Sequence, residues 1–162
     1  MTIRGTERDV VVAGAGLPGL ALARAIAHLD LSVALVDRVG IGLSAPPSAP
    51  EAWDTRVYAI SPGSAEFLRA LGAWQSLPCD RIAPVESMRI EGDAGAVLNF
   101  SAYDLGERAL AWIVEERALR EALVPLVHSA GVTIHAPAAF EALTFQTEYE
   151  IAPEGSVHVG RY

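Results

Sequence analysis

Apolar residues run without a break from Val10 to Ala13, yield to clustered glycines, and resume at helical spacing over 18–29. The first run, 9–13 (DVVVA), predicts a strand buried on both faces of a parallel sheet. Residues 18–29 (PGLALARAIAHL) repeat Leu20, Ala23 and Ala27 on one face and are rich in alanine, which predicts a helix. A second apolar strand is expected over 32–37 (SVALVD). Strand, turn, helix and strand within roughly 30 residues make a βαβ crossover.

The pattern then changes. Gly40, Gly42, Pro46, Pro47 and Pro50 break up 39–55, which is expected to be a long loop. Ser61 followed by Pro62 is a helix start, with a cap and a proline at the first helical position. That helix should run to about Leu71 and stop at Gly72. Residues 85–91 and 96–101 alternate apolar and polar positions around Gly92-Asp93-Ala94-Gly95, which predicts an antiparallel hairpin. An amphipathic helix is expected over 115–130, with Pro125 able to kink it and Gly131 ending it. A strand follows over 132–136, another is expected within 140–146, and 147–162 carry no assignable pattern. The fold class is α/β, a Rossmann-like unit with a parallel sheet and a hairpin that begins a second layer. The expected organisation is one body over 1–146, with the hairpin 85–101 opening a substrate-side sheet, and an unassigned tail over 147–162.

Composition narrows the function classes. A chain of 162 residues, 51% hydrophobic and 20% charged, has the make-up of a globular protein. A net charge of −8 argues against a broad nucleic-acid footprint and against a polybasic membrane surface. The single cysteine, Cys79, excludes a disulfide scaffold and points to a reducing, cytoplasmic compartment. His28, His128, His135 and His158 fall at no metal-ligand spacing, so no metal site is expected. The apolar stretch 10–27 is no membrane span, because Arg24, three glycines and a proline interrupt it.

Glycine spacing explains that stretch better. Gly14-Ala15-Gly16-Leu17-Pro18-Gly19 follows a strand and opens a helix, the setting in which a G-x-G-x-x-G turn binds a dinucleotide. Gly14 permits the tight turn, Gly16 lets a pyrophosphate reach the backbone, and Gly19 lets helix and strand pack closely. The helix N-terminus offers unpaired N–H groups and partial positive charge. Asp37 ends the second strand and stands where an acid would hydrogen-bond a ribose hydroxyl, with Arg38 beside it. An acid there disfavours the 2′-phosphate of NADP. This spacing does not separate FAD from NAD.

The residues beyond the turn carry a family resemblance. The stretch 53–61 (WDTRVYAIS), with the helix after it and Ala73-Trp74, resembles FAD-dependent aromatic hydroxylases of the para-hydroxybenzoate-hydroxylase-like type. The likeness is to the branch that hydroxylates ubiquinone precursors, and Arg56, Ala59, Ser61, Ser64, Leu68, Leu71, Gly72 and Trp74 carry it. Residues 111–119 (AWIVEERAL) resemble the segment that opens the family's next long helix, with Glu116 where the family more often has asparagine. The resemblance implies FAD as cofactor, with Gly14, Gly16 and Gly19 at its pyrophosphate and Asp37 at its adenosine ribose. It also implies Arg56 near the flavin side and Arg117 near the phosphate–ribose region. Trp53, Trp74 and Trp112 are expected as core or rim aromatics.

The full enzyme would use NAD(P)H and oxygen on a small aromatic or quinone substrate, with a place peripheral to the inner membrane left open. Family members carry a later Asp-Gly motif and a Gly-Asp-Ala-His-Pro-like motif, and neither occurs in these 162 residues. The expectation is therefore a cut-down chain with weak FAD binding, no turnover by itself and an exposed sheet edge prone to self-association. No catalytic residue is assignable. Two alternatives stand: an NAD-dependent dehydrogenase domain and a non-catalytic nucleotide-binding remnant.

Overall fold

The computed structural model describes residues 8–42 and 53–139, together with two short backbone strands at 149–151 and 157–159. Strand β1 (Val10–Ala13) leads through the glycine turn into helix α1 (Leu17–Ala27), and the chain returns as β2 (Val33–Val36). Beyond the loop come β3 (Val57–Ile60), α2 (Pro62–Ala70), β4 (Ile82–Val85), β5 (Ser87–Glu91) and β6 (Val97–Ser101). Strand β7 (Ala111–Glu115) feeds directly into α3 (Glu116–Ser129), followed by β8 (Thr133–His135). The two last strands, β9 (Tyr149–Ile151) and β10 (Val157–Val159), pair antiparallel in a region with no sequence assignment.

Three strands form the parallel sheet, in the order β1-β2-β8. Its register sets Val10 beside Val33 and Ala34 beside Thr133. A second sheet, β3-β7-β4, is antiparallel throughout, and β5 and β6 form a separate hairpin. The sequence pattern reveals the hairpin but not the second sheet: β3 and β7 sit inside the segments that carry the family resemblance, and β4 (IAPV) contains a proline that masks its strand character.

Helix α1 packs on β1 and β2 and against α3, which also meets β7. Leu20, Leu35, Val114, Leu123 and Val127 are fully buried at the centre of one core. Full burial of each leucine stabilises the fold by about 2 kcal/mol on area-transfer grounds. Strand β1 departs from its expected burial on both faces, because Val11 is 53% exposed. It is an edge strand, with no strand on its outer side among the described residues. The helix boundaries follow local chemistry. The Ser61 side chain accepts from the Ser64 N–H, Pro62 occupies the first turn, and Gly72 adopts φ +84° beyond the end of α2. Pro125 lies within α3 without ending it. The strand expected within 140–146 lies outside the described residues, as do 43–52 of the loop.

Candidate functional site

The glycine turn is built by backbone geometry that side chains would spoil. Gly14 holds φ +103°, a conformation that L-residues rarely adopt. A Cβ on Gly19 would collide with the carbonyl oxygen of Gly14, so α1 can leave the strand at this angle only without one. Gly16 caps α1 in extended conformation, and an added Cβ there would meet nothing closer than the Pro18 Cδ at 3.8 Å. That space is open to a ligand.

The main-chain donors divide into two groups. The Gly14 N–H donates to the Val36 carbonyl at 2.8 Å, which joins the turn to β2. The Ala15 N–H donates to Asp37 Oδ2 at 2.6 Å. By contrast, the N–H groups of Gly16, Leu17 and Gly19 have no protein acceptor among the described residues. Three donors without an acceptor among the described residues stand at the positive end of an 11-residue helix, an arrangement able to receive an anion.

Asp37 faces this turn. Its Oδ1 also accepts from the Val39 N–H at 2.7 Å. The hydrogen bond from Ala15, then that from Val39, holds its carboxyl below the usual carboxylate range, and Arg120 and Arg38 add to the effect. A carboxylate has about four acceptor positions, so two remain for a sugar hydroxyl. Asp37 thus has a structural duty that spacing alone did not reveal: it clamps the turn to the strand end.

A cleft of about 320 Å³ opens beside the turn, lined by Ala15, Gly16, Asp37, Val39, Gly40, Gly42, Arg56, Glu116 and Arg120. Of the residues singled out from sequence, the lining brings together Ala15, Gly16, Asp37 and Arg56. Gly14, Leu17, Pro18 and Gly19 belong to the turn behind it. Arg38 is exposed next to Asp37 and does not line the cleft.

Arg117 lies elsewhere. It points its Nη2 to Glu115 Oε2 at 3.4 Å, while Arg81 Nη1 donates to Glu115 Oε1 at 2.9 Å. Glu115, 3% exposed, is the centre of this cluster, and its Oε2 also accepts from the Asp54 N–H. Asp54 in turn accepts from the N–H groups of Arg56 and Arg117, which fastens the chain before β3 to the start of α3. These two main-chain bonds, with the Arg56 bond the stronger influence, hold the Asp54 carboxyl below its ordinary value. The three tryptophans also stand off the cleft lining. Trp53 carries Arg81 over its ring at 4.3 Å, and Trp74 and Trp112 meet edge to face with Arg69 against both.

Two cleft residues were not assigned a site role from sequence. Arg120 Nη1 donates to the Ala15 carbonyl at 3.1 Å, and Glu116 Oε2 receives Arg56 Nη1 at 3.2 Å. Their i,i+4 spacing in the first turns of α3 places them on one helix face, a signal legible once the helix start is known.

No protein-family model matches the chain. It is similar to ubiquinone biosynthesis monooxygenase COQ6 of Danio rerio, 32% identical over 121 residues, which are 71% of this chain and 24% of that protein. It is also similar to 3-demethoxyubiquinol 3-hydroxylase of Escherichia coli, 29% identical over 144 residues, covering 88% of this chain and 36% of that one. The ubiquinone hydroxylase UbiL of Rhodospirillum rubrum is 27% identical over 136 residues, 83% of this chain and 30% of its own length. The chain thus spans about a quarter to a third of the length of these relatives. Among solved structures, OxyS anhydrotetracycline hydroxylase from Streptomyces rimosus superposes with TM-score 0.64 at 18% identity, over 95% of this chain and 30% of that one. A 2-methyl-3-hydroxypyridine-5-carboxylic acid oxygenase superposes with TM-score 0.60 at 20% identity, over 96% and 38%. At these identities the structural likeness establishes the fold. No helix among the described residues is long and apolar enough to cross a membrane.

Proposed function

We propose, from the premise that the homologues of this chain are ubiquinone-biosynthesis monooxygenases, that it holds the adenosine-diphosphate end of FAD. The observation that carries the reading is the set of three N–H groups at Gly16, Leu17 and Gly19 with no acceptor among the described residues, beside a carboxylate aimed at the same turn. In this reading the bare amides bind the diphosphate, and the open side of Gly16 lets it reach them. Asp37 accepts from the adenosine ribose while it keeps its bonds to Ala15 and Val39. Arg120 and Arg56 line the cleft, Arg120 supplying positive charge to it and Arg56 paired with Glu116. Arg38 and Arg117 are outer contributors, Arg117 through the Glu115 cluster that sets the position of α3.

FAD, once bound, supplies the redox chemistry of ring hydroxylation, with NAD(P)H and oxygen as co-substrates and an aromatic quinone precursor as substrate of the full enzyme. The residues of this chain bind and orient one end of that cofactor. Among the described residues none is placed to hold the flavin ring, exclude water from it and position an aromatic ring together, and the 162-residue chain is expected to be inactive by itself. We further propose that 1–146 belong to one FAD-binding body, with the hairpin over 85–101 opening a substrate-side sheet. The outer edge of β1, which no strand covers among the described residues, favours self-association, which light scattering across a concentration series would detect.

Titration of the purified chain with FAD, followed by flavin fluorescence, tests the central reading. Saturable binding that ADP displaces is expected, without NAD(P)H-dependent oxygen uptake. Absence of saturable binding by both FAD and ADP would overturn the reading, and oxygen uptake would overturn the expected inactivity. The dehydrogenase alternative calls for continued βαβ alternation, and the antiparallel sheet β3-β7-β4 counts against it.

A further inference from the structure

The cleft lining contains two cations and two anions, and their pairing decides what an incoming anion meets. Asp37 is engaged by two main-chain N–H groups. Arg120 gives one of its five N–H donors to the Ala15 carbonyl and keeps its charge available. The other two residues neutralise each other: Arg56 Nη1 stands 3.2 Å from Glu116 Oε2.

This pair is asymmetric. The Arg56 side chain is 76% exposed and that of Glu116 17%, so the carboxylate is the fixed member and the guanidinium the movable one. Glu116 is the first residue of α3, where the helix dipole favours an acid. Its own N–H donates to the Arg56 carbonyl at 2.9 Å, which anchors its backbone beside its partner.

We propose that Glu116 is an internal competitor for the ligand's diphosphate: it occupies Arg56 and adds a negative charge to the cleft, so the chain itself limits its affinity for diphosphate ligands. The inference rests on the reading of this cleft as an ADP-end site. A diphosphate carries two negative charges to the amides of Gly16 and Leu17. Drawing Arg56 away leaves the Glu116 carboxylate uncompensated beside the ligand, and binding with the pair intact forgoes that guanidinium, so either course weakens binding. A neutral side chain at 116 removes the conflict and releases Arg56 to the ligand.

The test is calorimetric titration of the wild type, Glu116→Gln and Glu116→Asn with FAD, with ADP, and with adenosine as a phosphate-free probe. Thermal melts of each protein come first. Binding of FAD and ADP should tighten by about threefold to tenfold, the scale of one unit charge facing two through a water-like medium. Adenosine binding should stay unchanged, and the gain should shrink at high salt. Unchanged or weaker FAD and ADP binding in both variants would overturn the proposal, and so would an equal gain for adenosine. If neither the wild type nor the variants bind FAD or ADP, the cleft reading falls and this inference with it. A binding wild type with unimproved variants overturns the inference alone. Arg56→Gln in the wild-type background gives a second measure that needs no change at 116. It leaves the Glu116 carboxylate uncompensated, so FAD and ADP binding should weaken by about threefold to tenfold with adenosine unchanged, and unchanged FAD and ADP binding would overturn the proposal.

Discussion

Asp37 Oδ2 lies 2.6 Å from the main-chain nitrogen of Ala15, so the carboxylate that ends β2 also closes the glycine turn that follows β1. This bond joins two residues 22 positions apart and makes the acid part of the turn's framework. Asp37→Ala should therefore lower stability as well as ligand affinity. About 1 kcal/mol of stability is expected to go, a charge-assisted bond discounted for its access to solvent. Urea unfolding of the variant without ligand isolates this effect from binding.

The same bond sets a pH dependence. The Asp37 carboxyl is lowered from 3.8 by the Ala15 and then the Val39 hydrogen bonds. A group with a lower value in the folded state contributes stability that is complete above its unfolded value and lost as pH falls through the folded one. The Asp37 contribution should thus be constant above about pH 4 and fade below it. Comparing acid titrations of wild type and Asp37→Asn by circular dichroism should show the difference between them narrowing below pH 4. A difference that widens there would contradict the assignment.

Gly19→Ala should damage both folding and binding. Its Cβ would run into the Gly14 carbonyl oxygen, which is backbone and has no rotamer by which to escape. Relieving that clash takes a displacement of about an ångström or more between α1 and the turn, expected to cost about 2 kcal/mol, as overpacking does. A melting temperature lower by about 4–8 °C and loss of FAD binding are the expected readouts.

Glu115 predicts a larger effect than its place beside the cleft would suggest. It is 3% exposed, with Arg81 at 2.9 Å and Arg117 at 3.4 Å. Glu115→Ala leaves two half-buried guanidinium groups without this acceptor, and breaking a buried pair costs about 3–5 kcal/mol. Denaturant midpoints should show a loss near the lower end of that range, because both arginines keep partial access to water. Because Asp54 and Arg117 are tied to the same cluster, the start of α3 should lose hydrogen-exchange protection with it.

Ser61→Ala removes an N-cap whose side chain accepts from the Ser64 N–H at 3.2 Å. About 1 kcal/mol is expected, or about 2–4 °C in melting temperature, with Ser61→Asp restoring most of it. FAD affinity should not change, because Ser61 does not line the cleft.

Much of the local structure was legible from residue order. Val10–Ala13, the glycine turn, α1 and β2 follow from apolar runs and spacing, and Ser61-Pro62 with Gly72 marks α2 at both ends. The hairpin strands 87–91 and 97–101 were legible from alternation around a Gly/Asp turn. The β3-β7-β4 sheet was not, because its strands lie far apart in sequence and β4 contains Pro84. Short apolar runs next to helices carry no periodicity that separates them from the helix itself.

The sequence by itself determined the glycine turn between β1 and α1, because glycine is the one residue without a Cβ and its positions are printed in the chain. It also determined the acid at the end of β2 and the family likeness carried by residues 53–74 and 111–119. Tertiary structure alone decided which charges share the cleft. It brought Arg120 and Glu116 to the turn from about 100 residues away in sequence, and it drew Arg117 to Glu115. The reason is that side-chain electrostatics acts through space over a few ångströms, and chain order sets those distances only after the helices have packed.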